Sequence, residues 1–197
     1  MTLTELKAAV VSLSHRDDLT SQLDTFIALA EERLSRVLRL NATSSIATIT
    51  ILAGGSSVAL PADYIAGRAL TGSDGEWTQC TPEQLVQRIS AGSNDKAYSV
   101  VNGSIRIPFS AGADIDLTLA YWTRVPALTA LAPSNWLSIN NAGVYLYATL
   151  CEVAFFAQDV ELQAMAESRM KEAVEDLRGA EIASAYFSAS IQADYVV

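Results

Sequence analysis

Residues 136–178 read WLSINNAGVYLYATLCEVAFFAQDVELQAMAESRMKEAVEDLR, and this stretch decides the fold class. Its first half, 142–158, holds Val144, Tyr145, Leu146, Tyr147, Leu150, Cys151, Val153, Phe155 and Phe156, interrupted only by Thr149, Glu152 and Gln158. A helix apolar on almost every side is expected to be buried on almost every side. It is too short for a membrane span, which needs about 20 apolar residues, and it carries Glu152 near its middle. It is therefore either the axis of a bundle or a helix covered in part by another subunit, with Trp136, Tyr145, Tyr147, Glu152, Phe155 and Phe156 as its packing residues. Asp159 is placed to cap the next helix, with Glu161 in its first turn. There Leu162, Met165, Ala166, Met170, Ala173, Val174 and Leu177 recur at three and four, one face against a core. Met165 and Met170 read as core filler, and Gly179 as the stop.

Outward from this pair, the N-terminal end repeats the pattern. Thr2 and Glu5 fit a capping box, followed by Leu3, Leu6, Val10 and Leu13 on one helical face. After a polar turn at 14–18, Leu23, Phe26, Ile27, Ala30, Leu34, Val37 and Leu38 predict a helix over about 19–40. Two helical pairs are enough for a four-helix layer.

Between them the period changes. Residues 46–52 are β-branched and predict a strand. Gly54-Gly55-Ser56-Ser57 lacks the Gly-Lys-Ser/Thr of a phosphate loop and reads as a hairpin turn returning through Val58 and Leu60. A strand over 65–71 turns at Asp74-Gly75 and pairs back through Trp77 to Cys80. Thr81-Pro82-Glu83-Gln84 starts a short helix carrying Leu85, Val86 and Ile89. Asn102-Gly103 marks a hairpin, and Ile115, Leu117, Leu119 and Tyr121 alternate with Asp116, Thr118 and Ala120 in a half-buried strand. Pro126 and Pro133 bracket the return to Trp136.

The expectation is an α+β chain: a bundle of about four main helices (1–41 and 134–179), an inserted antiparallel β module with one short helix (42–133), and a C-terminal extension (180–197). Lys plus Arg is 13 against Asp plus Glu 22, a net charge of −9. With no basic block, the chain is not built to grip the phosphate backbone. Hydrophobic residues make up 50% of it, which is rich, and points to apolar surface reserved for a partner. The first residues, with Glu5 and no basic-then-apolar pattern, do not read as a signal peptide. Cys80 and Cys151 sit in apolar contexts and read as two buried thiols in a reducing cytoplasm.

No constellation points to catalysis, a metal or a cofactor. His15 is the only histidine and sits in a charged turn, so neither a general base nor a zinc site is indicated. Asp114 and Asp116 lack the loop pattern of a calcium hand and read as strand-edge charges. Glu152 either carries a raised pKa as an acid or meets an arginine, a tyrosine or a subunit interface; the latter group is favoured. The last segment is the stronger anomaly. Ile182, Tyr186, Phe187, Ile191, Tyr195, Val196 and Val197 are accompanied by only two charges, Glu181 and Asp194. Such a terminus either folds back on its own domain or docks on a partner, and docking is favoured.

In this order the features resemble the head-to-tail adaptor (connector) proteins of tailed bacteriophages, the group of podovirus tail accessory factors and tubular tail proteins. The resemblance rests on Leu23, Phe26, Ala30, Glu31, Leu34 and Leu38; on Leu60-Pro61-Ala62-Asp63-Tyr64; on Tyr121-Trp122 before Pro126 and Leu128; on Trp136-Leu137 leading to Tyr145-Leu146-Tyr147-Ala148; and on Glu152-Val153-Ala154 followed by Asp159. It implies a helical bundle with a β insertion and a ring, typically of twelve copies, beneath the portal protein. That ring would extend the DNA channel, let DNA pass without sequence-specific binding, and present a platform for a downstream tail, nozzle or stopper protein. It implies a place in the virion neck, reached from the host cytoplasm, with the C-terminal segment on the portal and no active-site motif. A tail-completion or stopper ring is the alternative in the same class. A small hydrolase using Glu152 or Asp114 and Asp116 is the alternative outside it.

Overall fold

The computed structural model describes the backbone of residues 1–38 and 43–193, and the side chains of 1–38 and 43–183. In chain order it shows α1 (Leu3–Ser14), a 3-10 turn (Asp17–Gln22), α2 (Leu23–Val37), β1 (Ser44–Ile51), β2 (Ser57–Ala59), β3 (Tyr64–Gly72) and β4 (Gly75–Gln79). Then follow α3 (Pro82–Ser90), β5 (Ala97–Val101), β6 (Ser104–Arg106), β7 (Ile115–Thr123), α4 (Trp136–Asn140), α5 (Ala142–Ala157) and α6 (Val160–Ala193). Contacts divide the chain into two units, Met1–Ala42 with Val125–Val197, and Thr43–Arg124.

The helical unit is built from its caps inward. Thr2 and Glu5 form the reciprocal capping box of α1, and His15, at φ 51°, ends that helix in the left-handed region. Residues 17–22 wind as a 3-10 turn, where the Thr20 hydroxyl donates to the Asp17 carbonyl at 2.6 Å, so the α-helix starts only at Leu23. Asp159 caps α6, accepting from the Leu162 N–H at 2.9 Å. The core gathers Leu6 and Val10, Phe26 and Leu34, and Tyr145 and Val153, all buried. From α6 it receives Ala166, Met170 and Val174, each four residues from the last.

The sheet unit holds seven strands in the order β1-β7-β3-β4-β5-β6-β2. β1 and β2 are consecutive in the chain yet lie at opposite ends of that order. Flat, the two would stand about 29 Å apart at roughly 4.8 Å per strand. The chain from Ile51 to Ser57 spans at most about 21 Å. The sheet must therefore curl until its edges approach, and β1 does touch β2. Gly54, at φ 80°, makes the corner. Its N–H donates to the Ala111 carbonyl at 2.7 Å, and the chain then runs along 107–111 into its pairing with β6. Ile51, Leu70, Ile105, Leu117 and Leu119 fill the interior, all essentially inaccessible.

These observations correct the expected fold class. The described residues form six α-helices and a seven-stranded, nearly closed mixed sheet, where a bundle of about four main helices with an inserted antiparallel β module was expected. β4 and β5 pair in parallel because α3 is the crossover between them; parallel neighbours require such a connection. The Gly54-Gly55 turn is real, but β2 leaves it for β6, whereas a hairpin with β1 was expected. Of the apolar residues on α3 only Leu85 is buried, and Val86 and Ile89 face solvent. Met165, expected in the core, is exposed. Gly179 does not stop its helix, since α6 runs through it to Ala193. Strong helix formers flank it (Arg178, Ala180, Glu181), and one interior glycine costs only about 1 kcal/mol.

A methyl group on Gly179 would meet nothing within 4 Å. Gly179→Ala is therefore expected to raise the helical circular-dichroism signal and leave the melting temperature equal or higher. A loss of helix would show that the glycine is required as a break.

Candidate functional site

A buried polar system in the helical unit fixes a loop. Glu31 lies on the apolar face of α2, four residues after Ile27 and three before Leu34, and is only 9% exposed. Its Oε1 accepts from the Tyr145 hydroxyl at 2.6 Å and from the Leu128 N–H at 2.7 Å. Asn135 Nδ2 donates to the Tyr145 oxygen at 3.1 Å and to the Pro126 carbonyl at 2.6 Å. Asn135 also caps α4 in a reciprocal box with Ser138. Ser35 Oγ accepts from the Val125 N–H at 3.1 Å, and the Leu3 N–H donates to the Pro133 carbonyl at 2.7 Å. The segment 125–135 is thereby tied to α1, α2 and α5. Burial raises the Glu31 carboxyl above its usual range, opposed by the two hydrogen bonds it accepts. The Tyr145 hydroxyl is raised far above its usual value, first by burial and then by the Glu31 carboxylate.

At the apex of this segment stands Leu131, 99% exposed. Its turn is closed by Thr129 and Ala132, whose N–H groups donate to the Ala132 carbonyl and to Thr129 Oγ1, both at 3.0 Å. An apolar side chain on a pinned loop loses little entropy when a partner covers it.

A second exposed apolar surface lies where α5 passes into α6. Phe155 is 70% and Val160 is 76% exposed. Phe156 is half-exposed and has its ring 5.4 Å from that of Phe26. The other sequence-selected packing residues lie deeper: Tyr145 is fully buried, while Trp136 and Tyr147 are half-buried against the core. Glu152 meets Arg33 at 3.3 Å, and the same guanidinium reaches Glu167 at 3.5 Å, so one cation joins α2, α5 and α6. Cys151 is buried beside that arginine, its thiol pushed up by burial.

The selected C-terminal residues fall on α6 and beyond it. Val174 is buried, and Arg178 donates to the Val37 carbonyl at 3.0 Å, a cation on the last turn of α2. Further along, Ile182 is 57% exposed. Tyr186, Phe187 and Ile191 belong to the α6 backbone, with side chains outside the described residues; Tyr195, Val196 and Val197 lie outside them altogether.

In the sheet unit, Asp114 accepts from the Ala53 N–H at 2.8 Å and Asp116 from the Thr50 hydroxyl at 2.6 Å. Each thus serves its strand. They border an open hollow of about 380 Å³ with Asp74, Lys96, Trp77 and Phe109. Among the described residues no group of three or more His, Cys, Asp and Glu is placed to hold a metal. No described helix is long and apolar enough to cross a membrane. Glu31, Asn135 and Leu131 were missed as site residues in the sequence. Glu31 had a signal, an acid on the apolar face of its helix; Leu131 had none beyond its two flanking prolines.

Because the folded-state value of Glu31 is raised, its contribution to stability is complete below the ordinary glutamate pKa of about 4.3 and is lost as pH rises through the raised value. Wild type is expected to lose stability relative to Glu31→Gln across that interval, read by urea denaturation at stepped pH. Glu31→Leu, which leaves the Leu128 N–H and the Tyr145 hydroxyl without their acceptor, should cost about 1–3 kcal/mol. A flat difference between wild type and Glu31→Gln would contradict the assignment.

No curated protein matches the chain. The family model of the SU10 adaptor protein matches residues 1–192. The chain therefore belongs to that family, a family of phage head-to-tail adaptors.

Proposed function

We propose that this protein forms a ring, of about twelve copies by the resemblance, seated beneath the portal in the virion neck. The ring extends the DNA channel and offers the attachment platform for the next tail, nozzle or stopper component. The family match over residues 1–192 carries this reading. Two features of the molecule support it. Large apolar side chains stand uncovered on the helical unit, and α6 continues well past Val174, the last buried residue described on it. At about 1.5 Å per residue, the helix from 179 to 193 has a reach of roughly 22 Å. We assign it, through Ile182, Tyr186, Phe187 and Ile191, to the portal. The protein works by docking and carries out no reaction.

Charge fits the same role. A ring of twelve carries about a hundred net negative charges, so free subunits repel and the portal templates their assembly. An acidic wall lets duplex DNA slide past.

Mixing the full chain with portal rings of the same genome should give rings with a collar of extra density by negative-stain electron microscopy. A chain ending at Gly179 keeps Val174 and Arg178, and is expected to stay folded by circular dichroism but give no collar. Portal rings left bare by the full chain would overturn the reading. The isolated protein is also expected to leave duplex DNA unshifted in a gel at physiological salt; a retarded band there would argue against a sliding channel.

A further inference from the structure

Two of the uncovered apolar surfaces of the helical unit lie at opposite ends of α5, a helix about 24 Å long. The Leu131 loop is tied to its first turn through Asn135 and Tyr145, and Ile139 of α4, 63% exposed, belongs to the same segment. Phe155, Phe156 and Val160 stand at its other end. The electrostatics of the two surfaces differ. No charged residue occurs between Arg124 and Glu152. From Glu152 to Glu167 every charged residue is acidic. Glu152 and Glu167 share Arg33, which leaves Asp159 and Glu161 as the acidic rim of the second surface.

Resting on the adaptor reading, we infer that the occupant of each surface is the other surface of the next copy: the Leu131–Ile139 segment of one subunit packs on the Phe155–Phe156–Val160 surface of its neighbour. Self-pairing of the second surface would bring two sets of Asp159 and Glu161 together in a chain that already carries −9. Self-pairing of the first would leave two phenylalanines in water. Only the head-to-tail match keeps the two acidic rims apart and covers both surfaces. A contact between two different surfaces of one subunit repeats around an axis and, when its rotation closes, gives a ring, whereas a self-complementary one stops at a dimer. The pinned Leu131 loop, held from within by Glu31, supplies the rigid member of the pair.

The test is cross-linking in assembled collars. Leu131→Cys and Phe155→Cys are introduced in separate full-length chains; the native Cys80 and Cys151 are buried, and wild type is the control. Each chain alone, and the two mixed, are assembled on portal rings and treated with a short bis-maleimide. The mixture is expected to give a cross-linked dimer, neither single chain any, and a chain with both substitutions a ladder of multimers. Leu131→Asp and Phe155→Asp, folded by circular dichroism, should each fail to form a collar. Dimers from a single-substituted chain alone, or intact collars that yield no cross-link in the mixture, would overturn the pairing while leaving the adaptor reading in place. Failure of wild type to form any collar would overturn both.

Discussion

The helical unit depends on a single buried carboxylate. Glu31 is an acid on an apolar helix face, and its desolvation is tolerated only because a backbone N–H and a tyrosine hydroxyl are directed at one of its oxygens. Those two donors come from different places, Leu128 in the return segment and Tyr145 in α5. Satisfying Glu31 therefore fixes the path of 125–135, the entry of α4 through Asn135, and the docking of α5 on α2 at once. A loop with prolines near both ends and no charge becomes a rigid presentation of Leu131. Arg33 plays the matching part at the other end, where its guanidinium bridges Glu152 and Glu167 and holds α6 against α5.

The sheet unit is governed by chain length. Two consecutive strands placed at opposite edges of a seven-stranded sheet, joined by a short turn, force the sheet to curl. The bulges in β3, between Tyr64 and Ala66 and between Gly67 and Ala69, provide local bending and twist. The resulting interior has its own apolar core.

Much of this was legible in the sequence, and the failures have physical causes. The capping residues at Thr2, Thr81 and Asp159 were readable because caps are local chemistry. So was the Asn102-Gly103 turn, with both residues at positive φ. The partner of β2 was not readable, since a turn shows that the chain reverses without showing which strand it meets. The parallel pair was within reach, because a helix start between two strands is what a crossover looks like. Gly179 was misread because a glycine signals a stop only when the following residues cannot continue the helix, and Ala180 onward can. Phe155 and Phe156 read as packing either in the core or against another subunit; which face of an apolar helix one subunit covers is set by tertiary contacts that no periodicity records.

Family membership makes this chain a phage adaptor. Large apolar side chains are exposed on its helical unit, its net charge is −9, and its last helix extends beyond its last described buried residue. The most direct measurement is an electron cryomicroscopy map of the neck of the phage that encodes this chain. The account predicts a closed ring of this protein between portal and tail, with the final helix of each copy against the portal. A neck in which portal contacts the tail component directly, with no density that accepts this fold, would contradict it.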